Sequence, residues 1–215
     1  MKMNNMKISY VILYKDELQE IKQLLHQLTS YKDKEDEIVI VYDGNDDELE
    51  YTLLSYLITD IDNLIIECNK LDKDFANQRN YASKLCKGDY IMHIDADELF
   101  DNNFFANIKE VLSSNADIEV FGFPRVNIVN NITPADIAKW HWKVDANGYI
   151  NFPDYQMRLY KNNKKIKWEG KVHEHLVAFD SITTFQPIPV NEIFFLQHVK
   201  DINRQRKQNA LYETI

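Results

Sequence analysis

Between Ile8 and Leu112 the chain alternates short apolar runs of strand length with longer segments whose apolar residues recur at helical spacing. No other feature constrains the fold as much, because strands separated by helices pair parallel through right-handed crossovers. Ile8–Leu13, Ile38–Tyr42, Leu64–Glu67 and Tyr90–Ile94 are the four strand-like runs. Leu18, Ile21, Leu24, Leu25 and Leu28 mark the first helix, with Asp16 and Gln19 spaced as a capping box. Leu49, Leu53, Tyr56 and Leu57 mark a second helix. A third runs from about Phe75 to Cys86 and is stopped by Gly88, and Phe104, Ile108, Val111 and Leu112 mark a fourth. The expected class is α/β, a doubly wound and mostly parallel sheet.

After Val120–Phe123 the texture changes to mixed polar and aromatic residues, as in Trp140-His141-Trp142 and Asn147-Gly148-Tyr149. Short strand-like pieces fall at Tyr155–Tyr160, Ile166–Trp168 and Ile193–Val199. Asp201–Ile215 looks helical and carries no stop signal, so the chain is expected to be cut from a longer protein. The division expected is a ligand-binding half over residues 1–123, an aromatic-rich half over 124–200, and a terminal helix over 201–215.

The 215 residues are 45% hydrophobic and 12% aromatic, enough for a substantial core. A formal net charge of −9 argues against a broad nucleic-acid or anionic-membrane surface. With only five glycines, neither GxGxxG nor GxxxxGK[ST] can be written, which counts against dinucleotide oxidoreductases and P-loop NTPases. Cys68 and Cys86 sit in apolar settings and are expected to be buried thiols. The amino terminus lacks a signal-peptide apolar region and no run reaches membrane-span length, so a cytoplasmic chain without a transmembrane segment is expected.

The run Tyr90–Ile94 ends abruptly in Asp95-Ala96-Asp97-Glu98. In an open α/β sheet the carboxyl edge of the strands is where ligands bind. Two carboxylates one residue apart repel, and a hard divalent cation, Mg²⁺ or Mn²⁺, relieves that repulsion. The bland alternative is a solvated acidic turn. The first strand ends in Tyr14-Lys15-Asp16 and the second in Asp43-Gly44-Asn45-Asp46-Asp47, so all three ends should open on one edge. Asp74-Phe75-Ala76-Asn77-Gln78-Arg79-Asn80 puts an arginine and amides at a helix start, a setting suited to a phosphate or ribose. Asp43 alone is equally a turn former, and Arg79 alone equally a surface ion-pair partner.

Together these pieces resemble the nucleotide-binding half of a GT-A glycosyltransferase of the family-2 type, over roughly residues 7–200 and most strongly over 75–101. The turn Asp43-Gly44-Asn45-Asp46 departs from that pattern's Asp-Asp-Gly-Ser. Trp168-Glu169-Gly170-Lys171-Val172-His173-Glu174 resembles the Trp-x-Gly-x-Val-His-Glu stretch of a bacterial branch, and Phe152–Tyr160 the segment preceding it. The resemblance implies a metal-dependent, inverting transfer from a nucleotide-sugar, a UDP-sugar first, to a carbohydrate, lipid-linked or protein acceptor. It puts Asp43 on the base and Asp95 on the nucleotide-sugar, with Arg79, Asn80 and Tyr14 near the nucleotide. Asp97, Asp95 and His198 fall to Mn²⁺ or Mg²⁺, and Glu174 to the base, with Asp154 its rival.

Two other functions remain open on the residues. An aspartate-nucleophile phosphatase would use Asp95 and Asp97, but that class carries its motif on the first strand with Thr or Val two residues on, where Leu99 stands. A module of the same fold that binds nucleotide or carbohydrate without turnover is the second. His173-Glu174-His175 as a zinc strand lacks a third ligand nearby, and Trp140, His141 and Trp142 either cover a core or form an acceptor platform.

Overall fold

In the computed structural model, residues 6–101, 103–186 and 194–212 are described. The first part follows the expected alternation: β1 (Ile8–Tyr14), α1 (Leu18–Tyr31), β2 (Glu37–Tyr42), α2 (Leu49–Leu57), β3 (Leu64–Cys68), α3 (Phe75–Leu85) and β4 (Tyr90–Asp95). It continues through β5 (Glu98–Phe100), α4 (Phe104–Ser114), β6 (Val120–Phe123), β7 (Arg125–Asn130) and α5 (Pro134–Trp140). The remainder is β8 (Gln156–Lys161), β9 (Lys167–Glu169), β10 (His175–Val177), β11 (Ile182–Thr184), β12 (Leu196–Asp201) and α6 (Ile202–Tyr212).

The main sheet has seven strands in the order β11-β6-β8-β4-β1-β2-β3. It is parallel except at β8, which runs antiparallel to both β4 and β6. Both faces of β1 are covered. Ile8, Tyr10, Ile12 and Tyr14 join the cluster that α1 and α4 close, while Val11, with Val39 and Val41, packs with Ala76 and Ala82 of α3. Burial on both faces explains why these strands are continuous apolar runs rather than alternating ones.

A second sheet, β5-β12-β7, stands at the carboxyl edge of the first. Of its strands only β12 falls on an expected piece, Ile193–Val199; β5, β7 and the helix α5 have no counterpart among the expected elements. The acidic turn between β4 and β5 is pinned by Phe100. Its backbone exchanges two 3.0 Å hydrogen bonds with the Gln27 side chain, and its ring stacks on Phe104 at 4.2 Å.

Three local expectations are corrected. The Asp16–Gln19 capping box does not form; α1 starts after Glu17, whose carboxylate accepts the backbone N–H groups of Lys15 and Asp16. Gly88 does not stop α3, which ends at Leu85; its role is close approach, since a Cβ there would stand 2.7 Å from Ser9 Oγ and 2.8 Å from Ser9 N. Cys68 and Cys86 are free thiols, as expected, but half-buried. Ile193, the expected start of the last strand, lies outside the described residues, and β12 starts at Leu196. Among the described residues no helix is long and apolar enough to cross a membrane.

Candidate functional site

Parallel register brings the three expected strand ends to one edge. Leu13 pairs with Asp95 and Tyr14 with Tyr42, so Asp43 and Asp95 emerge two strands apart, about 10 Å by ordinary strand spacing.

Asp95 is held by arginine on both oxygens. Arg79 Nη2 donates to Oδ1 at 2.9 Å and Arg158 Nη2 to Oδ2 at 2.6 Å. Burial raises the pKa of this carboxyl, but Arg158 and Arg79 outweigh it and hold it well below the usual carboxylate range. The pairing extends in both directions. Arg79 Nε donates to Glu174 Oε1 at 2.6 Å, with its guanidinium 5.0 Å from the Trp168 ring centre. On the other side, Arg158 reaches the fully buried Glu98 at 3.3 Å, Arg125 donates to Glu98 at 3.0 Å, and Arg125 donates to Asp154 at 2.7 Å. Glu174–Arg79–Asp95–Arg158–Glu98–Arg125–Asp154 is thus one chain of alternating charge. The two candidate bases stand at its ends.

Those ends differ. Asp154 Oδ2 accepts from Arg125 and from Asn127 Nδ2, which fills that oxygen, and Oδ1 accepts from Gln156 Nε2 at 3.2 Å. Glu174 has Arg79 as its hydrogen-bond partner and follows a loop whose Gly170 has φ +97°, a conformation that favours glycine. Of the two, Glu174 has the fewer hydrogen-bond donors.

Asp97 sits apart from this chain. Its Oδ2 lies 3.3 Å from His198 Nε2, 3.5 Å from Lys200 Nζ and 3.6 Å from Arg204 Nη2. Burial raises its pKa, yet His198 and Lys200 outweigh that and push it below the usual range. Asn127 fixes the imidazole. Its Nδ2 donates to Asp154 and to the Ile150 carbonyl, so its Oδ1 faces His198 Nδ1, at 2.7 Å, as an acceptor. Nδ1 therefore carries the proton. Nε2 then faces Asp97 with either a second proton or a lone pair, and the lone-pair form is the one that ligates a metal.

The other expected site residues divide. Asp43 lies on the edge, accepting from Lys15 Nζ at 2.7 Å and from the Leu71 N–H at 2.8 Å. Tyr14 is a core residue: its ring packs on Tyr42 at 5.9 Å, its hydroxyl is buried without a partner, and burial pushes the phenol up to about 12. Asn80 is not directed at the edge, because its amide clamps the Trp168 backbone at 2.8 and 2.9 Å. Asp95 does not fit as a metal ligand, since both its oxygens are held by arginine. Among the described residues no three His, Cys, Asp or Glu side chains converge as a ready cation cage. Asp97 with His198 fits as a partial donor set that other ligands would complete.

Arg158, Glu98, Arg125, Asn127, Lys200 and Arg204 were not anticipated. Lys200 shares a strand face with His198, a period-two signal that could have marked it. For Arg204 no sequence signal exists.

A family model described as glycosyl transferase family 2 matches residues 9–174. No curated protein sequence matches the chain. Among solved structures, TarS 1–349 of S. aureus superposes with a TM-score of 0.56 at 14% identity, over 88% of this chain and 60% of that one. The same fragment in complex with UDP gives 0.59 at 14% identity, over 89% and 60%. The chain thus spans about three-fifths of those solved chains.

Proposed function

The chain belongs to glycosyl transferase family 2, and from that premise we propose that it moves a sugar from a nucleotide-sugar to an acceptor hydroxyl with inversion. The observation that carries this reading is the meeting of Asp97 with His198, whose Nδ1 proton is fixed by Asn127. A UDP-sugar is the first donor to try, supported by the UDP bound to the similar fold of S. aureus TarS.

Asp97 and His198 would hold Mn²⁺ or Mg²⁺, which when bound neutralises charge on the leaving diphosphate. Asp43, at the second strand end, is assigned to the base. Asp95, kept ionised by Arg79 and Arg158, accepts hydrogen bonds from hydroxyls of the donor. Glu174 takes the proton of the acceptor hydroxyl as that oxygen bonds to the anomeric carbon. The bond from that carbon to the phosphate oxygen breaks, and its electron pair leaves with the nucleoside diphosphate. Glu174 must exchange its bond with Arg79 for one with the acceptor. A carbohydrate, a lipid-linked sugar and a protein side chain all supply such a hydroxyl.

The phosphatase reading loses its nucleophile, because both Asp95 oxygens already face arginines. Incubating the protein with a panel of nucleotide-sugars and acceptors, with Mn²⁺, tests the proposal. Release of nucleoside diphosphate without inorganic phosphate supports it. Phosphate release, or no turnover of any donor, contradicts it.

A further inference from the structure

Helix α6 lies across the site. Arg204 Nη1 reaches Glu20 at 2.5 Å, and Nη2 lies 3.0 Å from Glu17 and 3.6 Å from Asp97. One guanidinium therefore serves three carboxylates, two from the start of α1 and one from the acidic turn. Further along, Lys200 Nζ donates to Gln208 at 2.6 Å and Gln208 Nε2 donates to Tyr212 Oη at 2.7 Å. The Tyr212 ring then meets Phe75 and His173 edge-on, at 5.9 and 5.7 Å. Arg206 ties the outer side of the helix to Asp136 at 2.8 Å. The helix is thus fastened from Asp97 at one end to the loop carrying Glu174 at the other.

We propose that α6 is a strap whose Arg204 stands in the cation's place at Asp97, so that a divalent cation binds there only as the arginine moves off. The proposal rests on Asp97 and His198 forming the cation site. A divalent ion on Asp97 would face Lys200 and Arg204, both drawn to the same oxygen. Two such cations and a metal cannot share one carboxylate without strong repulsion. Lys200 has a neutral partner, Gln208, to which it is already bonded. Arg204 is the charge that links the strap to the site, and its removal leaves Glu17 and Glu20 without their arginine and Asp97 with Lys200 and His198 alone.

Mn²⁺ binding to the nucleotide-free protein, followed by calorimetry and by the electron paramagnetic resonance of free Mn²⁺, tests this. Arg204→Gln should bind Mn²⁺ about tenfold more tightly than the parent, the effect of removing one nearby positive charge. Arg204→Lys, which keeps the charge, should stay close to the parent. Tyr212→Leu, which unfastens the strap from Phe75 and His173 without changing any charge and leaves Lys200 on Gln208, should bind more tightly than the parent, and it carries the test if Arg204→Gln does not fold. Asp97→Asn should lose the ion. If Asp97→Asn lowers Mn²⁺ affinity while Arg204→Gln and Tyr212→Leu equal the parent, the strap is wrong and the cation site stands. If Asp97→Asn binds Mn²⁺ as the parent does, or if no variant binds it, both the site and the strap fall.

Discussion

Arg79 Nε lies 2.6 Å from Glu174 Oε1, joining the third helix to the loop between β9 and β10. The bond holds the candidate base in place, and in the proposed reaction acceptor binding replaces it. Glu174→Gln should fold, bind donor and metal normally, and lose about 10²–10⁴-fold in kcat, the usual worth of general-base assistance. Asp154→Asn should keep more activity and instead lower the melting temperature, because Arg125 and Asn127 lose a charged acceptor. Steady-state kinetics beside thermal melts separates the two, and the reverse order would move the base to Asp154.

Acid should expose the charge pairing. Asp95 and Asp97 are both held below their ordinary values, so each contributes stability that is complete above its unfolded pKa, about 3.9. That contribution is lost as pH falls through the lower folded value. Denaturant unfolding of the parent and of Asp97→Asn should therefore differ above about pH 4 and begin to converge below it, meeting only as pH falls through the lower folded value. A difference that grows on acidification would show that Asp97 is not stabilised as a carboxylate.

Much of the parallel half was legible in the sequence. A strand buried on both faces announces itself as an unbroken apolar run, and Ile8–Tyr14, Glu37–Tyr42 and Tyr90–Asp95 are such runs. The second sheet was legible only at β12, on the expected Ile193–Val199 piece, because three-residue β5 carries the fully buried Glu98 and β7 mixes an arginine and two asparagines into its apolar residues. At the site, Asp95, Asp97, Asp43 and Glu174 were visible as acids at strand and loop ends. His198 and Arg79 were expected site residues, but the arginine and lysine partners Arg158, Lys200 and Arg204 were not, since the link from Asp95 to Arg158 spans 63 residues. Local sequence carries no information on such pairings. Asn80 shows the converse error: a polar residue at a helix start looked like a ligand and is a clamp.

Asn80→Ala should leave nucleotide affinity unchanged and cost about 1–3 kcal/mol of stability, the penalty for leaving the Trp168 backbone groups unsatisfied. Urea unfolding with a parallel UDP titration checks both halves. Loss of UDP affinity at unchanged stability would restore Asn80 to the nucleotide.

Asp43 should act on the donor rather than the acceptor, being at the strand edge beside Tyr14 and two strands from Asp95. Asp43→Ala should weaken UDP and UDP-sugar alike by about tenfold or more, as for loss of a charged hydrogen bond. An unchanged UDP affinity with a raised acceptor KM would place Asp43 on the other side of the reaction.

The most direct measurement is calorimetry of UDP binding to the parent protein with Mn²⁺ and then with excess chelator, repeated on Asp97→Asn. The account predicts that UDP binds with Mn²⁺, that the chelator removes most of that affinity, and that Asp97→Asn behaves with Mn²⁺ as the parent does without it. Equal affinity with and without Mn²⁺, or an Asp97→Asn variant that keeps the full metal effect, would contradict it.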